Sequence, residues 1–146
     1  MAVRISKPVL KALFAATLGL TATSPVQAQT EAPAISLELN KAEDTGENCR
    51  LSFVMSNGTG ERIEAAAYEL VLFSPEGVIS QMSVFDFGAL PQGKTVVRQF
   101  ELPGLGCAQA GNLLINGPAG CPSDQPPAHC TAPLKLSSRT GLTLSQ

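Results

Sequence analysis

The chain has one histidine among 146 residues, no clustered lysines or arginines, no twin arginine and no GxSxG segment. Each lack closes a class of function. Without GxSxG there is no nucleophile elbow to present a serine. The one histidine, His129, sits beside Cys130, and a dyad of the two would need a free thiolate. The carboxylates are no better arranged for acid–base work: Glu43, Asp44 and Glu47 fall in a solvated polar link, and Asp86 is isolated. Ser137, Ser138 and Arg139 form a polar cluster that reads equally well as a strand end entering a turn. The chain is therefore expected not to be an enzyme, and no cofactor is implied. Lys41, Arg50, Arg62, Lys94, Arg98, Lys135 and Arg139 are scattered, which argues against nucleic acid or an anionic membrane surface as partner.

The N-terminus carries Arg4, Lys7 and Lys11, then a largely apolar run from Ala12 to Ala22, then Val26 and Ala28 at small-residue positions. That is the order of a secretory signal peptide over residues 1–28, cleaved after Ala28. Thr17, Gly19, Thr21 and Thr23 dilute the run below the ~20 apolar residues of a membrane span. Residues 29–146 are expected to form one domain, with seven cations against twelve carboxylates and hence a formal charge of −5. With no twin arginine, the general secretory route and a periplasmic address are expected.

All four cysteines, Cys49, Cys107, Cys121 and Cys130, lie after the cleavage position, and an even count in an exported chain favours two disulfides. Three connectivities are possible. Pairing Cys121 with Cys130 closes "CPSDQPPAHC", whose three prolines cannot join a ladder and whose order a bridge would supply. Cys49 is then left with Cys107 by elimination. The alternative use of the same residues is a soft metal site of Cys121, His129 and Cys130, with Met55 or Met82 as thioethers, suited to copper(I) or zinc. Their spacing is not that of paired CxxC zinc motifs.

Strands separated by turns make up the rest. Ile35, Leu37 and Leu39 alternate with polar neighbours, as do Cys49, Leu51, Phe53 and Met55, the period of a half-buried strand. This puts Cys49 on the core face, where a staple is expected rather than a reactive thiol. "KAEDTGEN" reads as a polar link and "NGTGERIEAAA" as a loop. "AYELVLF", "VISQMSVFDF", "TVVRQFEL", "NLLIN" and "APLKLSS" add five strands rich in β-branched and aromatic residues. "SPEG", "LPQG" and "LPGL" supply the turns. The expected fold is all-β: an antiparallel immunoglobulin-like β-sandwich of about seven strands. "AYELVLF" is apolar on both faces and Phe85 and Phe87 crowd together, which fits either a covered strand or an exposed apolar patch that docks a partner. The "NGT" at Asn57 is a glycosylation sequon, informative only in a suitable host.

The blocks "LELNKAEDTGENCRLSFVMSNGTG", "LVLFSPEGVISQMSVFDFGALPQGKTVVRQFELPGLGC", "LLING" and "CTAPLKLSSRTG" together resemble a group of small exported alphaproteobacterial proteins labelled "Tat pathway signal sequence domain protein". The resemblance spans nearly all of residues 29–146. It implies a bacterial periplasmic protein with this same sandwich and supplies no activity and no catalytic residues. The missing twin arginine departs from the export route in that label. The function expected is that of a disulfide-stabilised module binding another envelope protein or a small ligand.

Overall fold

A computed structural model describes residues 32–146; the expected signal peptide and its cleavage after Ala28 lie outside the described residues. The strands are β1 (Ile35–Thr45), β2 (Asn48–Asn57), β3 (Ile63–Phe73), β4 (Ile79–Leu90), β5 (Thr95–Leu102), β6 (Asn112–Ala119), β7 (Leu134–Ser138) and β8 (Thr143–Ser145). A 3-10 turn (Cys107–Gln109) precedes β6, and a one-turn helix, α1 (Ala128–Thr131), precedes β7. They form two four-stranded sheets, ordered β5-β2-β1-β7 and β4-β3-β6-β8. The all-β expectation is met.

Two finer expectations need correction. The described residues form eight strands where about seven were expected, because Thr143–Ser145 is a three-residue strand too short to display a period. The sheets are also mixed rather than antiparallel: β7 runs parallel to β1 and β8 parallel to β6. After β4 every connection crosses to the other sheet, with β5 and β7 joining one and β6 and β8 the other. For β7 and β8 the intervening segments in the opposite layer make the long crossover that parallel pairing requires.

The first hairpin shows how pattern becomes packing. Ile35, Leu37, Leu39, Cys49, Leu51, Phe53 and Met55 are all completely buried, as their alternation requires. "KAEDTGEN" is mostly strand rather than link. A register shift between Leu39 and Lys41 leaves Asn40 as an extra residue, after which β1 continues to Thr45 and the hairpin closes on Gly46 and Glu47. Such a bulge bends the strand while keeping it paired. The loop expected in "NGTGERIEAAA" likewise ends early, since β3 already begins at Ile63.

Aromatic rings join the layers. Phe53 of β2 meets Phe87 of β4 edge-on at 5.5 Å and Phe100 of β5 at 5.9 Å, while Phe85 stacks on Phe100 at 4.3 Å. Edge-to-face and offset pairs add to the burial of their area. Tyr68, Leu70 and Leu72 face this core, whereas Val71 and Phe73 lie on the outer face of β3.

The sequon residue is a structural corner. Asn57 is 2% exposed; its Nδ2 donates to the carbonyls of Glu61 (2.7 Å) and Leu90 (2.8 Å). Its Oδ1 accepts from the Thr59 amide (3.0 Å) and hydroxyl (2.7 Å). Both amide hydrogens are engaged, so the folded chain offers no free Nδ2 to a glycan.

Candidate functional site

The disulfides are Cys49–Cys107 and Cys121–Cys130, and among the described residues no cysteine is free. Cys49 is fully buried and joins the start of β2 to the 3-10 turn, whose Cys107 amide donates to Asp44 at 2.7 Å. The tether is tied to both sides of the hairpin end, as a staple should be.

The second disulfide creates a denser corner. Tyr68 of β3 donates its hydroxyl hydrogen to the His129 carbonyl at 3.2 Å and meets the imidazole edge-on at 5.9 Å. Burial pushes the Tyr68 phenol up to about 12, because the phenolate would lose its water. His129 is 2% exposed. Its Nε2 lies 3.1 Å from the Ala119 carbonyl, 3.5 Å from Cys130 Sγ and 4.0 Å from Cys121 Sγ. A carbonyl can only accept, so Nε2 carries the hydrogen, and Nδ1 is left buried without a partner among the described residues.

The structure thus brings together the three expected ligands, with their ligand atoms within 4.8 Å of one another. It also puts both sulfurs in a disulfide, so the corner is not a thiolate set in this state. The same bond removes the thiolate that a Cys130/His129 dyad would need. Met55 is core filling, and Met82 sits on the outward face of β4, opposite the inward face on which Tyr68 meets His129. The other polar candidates have structural tasks. Ser138 donates to the Leu142 carbonyl at 2.7 Å, Arg139 pairs with Glu38 at 2.9 Å, and Asp86 accepts from the Gly88 amide at 2.8 Å.

A different feature stands out on the second sheet. β4 is a free edge twelve residues long whose only charge is Asp86, whereas the other long edge, β5, carries Arg98 and Glu101. Edge strands normally carry charges, proline or cover against unwanted pairing. Among the described residues only the far end of β4 is covered: Arg98 crosses from β5 and donates to the carbonyls of Phe87 (2.7 Å) and Ala89 (3.4 Å). Gly88, with φ +69°, makes the bend there. The near end is open, and its polarity is inverted. Gln81 and Ser83 turn inward while Met82 (60% exposed) and Val84 (57%) turn outward, with Val78 and Ile79 also exposed beside them.

Register links this patch to residues that are themselves covered, Val71 being only 5% exposed. Met82 pairs with Val71 of β3, which pairs in turn with Leu114 of β6. The four strands of this sheet contain Glu64, Glu69 and Asp86 but no lysine or arginine. The sequence hint of a docking patch therefore lands on Met82 and Val84, not on Phe85 and Phe87, which are core. The readable signal was the switch of apolar residues from even to odd positions within "SQMSVFDF". Beneath Gln81 and Ser83 the hollow between the sheets measures only about 10 Å³, room for at most one water.

The described residues form a disulfide-stapled, two-sheet β domain whose β4 edge is open along its first half. No protein-family model, no curated protein and no solved structure matches the chain. Among the described residues no helix is long and apolar enough to cross a membrane.

Proposed function

We propose that this chain is an exported, periplasmic binding module that acts by docking an extended segment of another envelope protein along β4, without catalysis and without a cofactor. The observation that carries this reading is the open half of β4, with its outward Met82 and Val84 on a sheet devoid of cations. An added strand would take main-chain hydrogen bonds from the free edge and seat alternate side chains against Met82 and Val84. The acidic residues beside the patch, Glu69 and Asp86, favour a segment that presents lysine or arginine on the same face as its apolar residues. A small ligand is the weaker occupant, because the hollow under β4 is too small to enclose one. Periplasmic residence is supported by the N-terminal pattern, by the two disulfides and by the resemblance described above. An immunoglobulin-like class is supported by the pairing of the first, second and fifth strands in one sheet and the third and sixth in the other.

The test combines capture with mapping. Wild-type protein and Met82→Lys/Val84→Lys are used to capture partners from envelope extract, and hydrogen exchange of the identified complex is followed by residue. Expected are at least a roughly tenfold loss of affinity in the variant with stability within about 0.5 kcal/mol of wild type, and slowed exchange at residues 79–86. Equal binding by the variant, or protection confined to another face, would refute the assignment.

A further inference from the structure

We infer that the Cys121–Cys130 corner is a redox-gated metal site: reduction of this one disulfide produces a Cys–His–Cys site for a single d10 cation, zinc(II) or copper(I). It lies apart from the docking surface and does not depend on it.

The geometry is nearly assembled before any metal arrives. With Zn–S distances of about 2.3 Å and Zn–N of about 2.0–2.1 Å, tetrahedral ligands stand about 3.5 Å apart for sulfur and nitrogen and about 3.8 Å apart for the two sulfurs. His129 Nε2 is already 3.5 Å from Cys130 Sγ and 4.0 Å from Cys121 Sγ. Once their bond is gone the two sulfurs must separate, Cys121 must close on Nε2 by about half an ångström, and Nε2 must give up the Ala119 carbonyl. The imidazole is held for this by its backbone, through the Tyr68 hydroxyl on the His129 carbonyl, and by the Tyr68 ring at its edge. The exposed segment from Gly120 to Pro126 gives Cys121 room to move.

Reduction is selective because access differs. Cys121 is exposed, while Cys49 is fully buried and Cys107 partly so. The thiolate of an external dithiol attacks Cys121 Sγ and expels Cys130 as thiolate. The second thiol of the reductant then displaces Cys121, so the reductant leaves as a disulfide and the chain holds two thiols. Nε2–H beside Cys130 Sγ stabilises the departing thiolate. Metal binding releases the two thiol protons, and the Nε2 proton moves to Nδ1 as Nε2 becomes a ligand.

That last transfer sets the strength of the site. Nδ1 is buried with no acceptor, whereas metal-bound histidines are usually supported by a carbonyl or carboxylate at the second nitrogen. Loss of such support typically costs about 10–100-fold in affinity. The corner is thus built to release its ion again when reoxidised, not to store it.

The experiment uses the exported chain and zinc(II) itself. Native mass spectra are recorded with and without prior treatment with a phosphine reductant, with thiol mapping to show which disulfide has opened. The reduced protein should have thiols at Cys121 and Cys130 alone and bind one zinc; the oxidised protein and Cys121→Ser/Cys130→Ser should bind none. In case that variant is unstable, cobalt(II) added to reduced wild type should give a thiolate-to-cobalt charge-transfer band with tetrahedral ligand-field bands, absent before reduction. Failure of the reduced protein to bind zinc, equal binding by the oxidised protein or the variant, or equally ready opening of Cys49–Cys107 would overturn the inference.

Discussion

Replacing Asn57 tests whether a short polar side chain, rather than the apolar core alone, fixes the end of the sandwich. Its amide makes four hydrogen bonds, two donated and two accepted, and its backbone adds two more: its N–H donates to the Lys94 carbonyl at 3.1 Å and its carbonyl accepts from Gly93 at 2.9 Å. In Asn57→Ala the backbone pair survives. The Thr59 hydroxyl and Glu61 carbonyl border the exposed turn and recover water. The Leu90 carbonyl does not, since Leu90 is 1% exposed. One buried acceptor stranded, together with a net loss of about 1 kcal/mol for a further bond, gives about 2–3 kcal/mol. Asn57→Asp should be worse, at about 3–5 kcal/mol, because it sets a carboxylate oxygen against the carbonyls of Glu61 and Leu90 with no compensating cation. The Asp penalty should shrink toward the Ala value on acidification, as protonation restores a donor. Urea unfolding followed by far-ultraviolet circular dichroism reads both, provided the m-value is unchanged. An Asn57→Ala loss under about 0.5 kcal/mol, or an Asp variant as stable as the Ala variant at neutral pH, would refute the account.

Other outcomes follow from the tethers and the titrating groups. Cys49 and Cys107 lie 58 residues apart and Cys121 and Cys130 nine apart, so loop-closure entropy predicts losses of about 4 and about 2.5 kcal/mol for the respective Cys→Ala pairs; urea midpoints in the opposite order would contradict it. The Arg50 guanidinium, at 2.6 Å, and then the Thr45 hydroxyl hold the Glu101 carboxyl below its ordinary 4.5. A carboxyl more acidic in the folded state stabilises that state above its ordinary range and loses the effect as pH falls through the folded midpoint. Arg50→Gln should therefore move the Glu101 carbon-13 titration upward, and an unmoved midpoint would exclude Arg50 as the cause. Tyr68 behaves oppositely: its phenol ionises at about 10 when unfolded and at about 12 when folded. Stability should fall as pH rises through that interval, with phenolate absorbance and loss of circular dichroism appearing together rather than in sequence.

What could be read from the sequence depended on how local its cause was. The β1–β2 hairpin was legible because a period of two over Ile35–Leu39 and Cys49–Met55 suffices to choose a buried face. β8 was not, because three residues beside β6 are held by neighbours the chain meets only after folding. Parallel pairing was hidden for a similar reason: alternation fixes a strand's faces but not its direction relative to its neighbour. At the metal corner, the three residue types and their proximity in sequence were visible, but the burial of His129 was not. It comes from Tyr68, sixty-one residues away. Asn57 shows the reverse failure. "NGT" carries a familiar chemical meaning, and only the carbonyls of Glu61 and Leu90 show that the amide is occupied. On β4, a polarity inversion over four residues was present in the letters yet masked by the aromatic pair that follows it.

The parallel pairing of β7 with β1 has a consequence for timing. Ile35 waits for Leu134, so the first sheet acquires its last strand only when segments near opposite ends of the described chain have met, while the second waits for Leu144 to return to Leu113. Contacts of such long sequence separation slow folding. For a polypeptide proposed to thread a membrane unfolded, that delay is an asset: the partly emerged chain has hairpins but no closed sandwich to jam the passage. An oxidising compartment of the kind proposed would then trap the finished topology. Cys49 can be tied to Cys107 as soon as β5 has passed, whereas the Cys121–Cys130 link forms only as the final strands arrive, so the order of bond formation would follow the order of emergence.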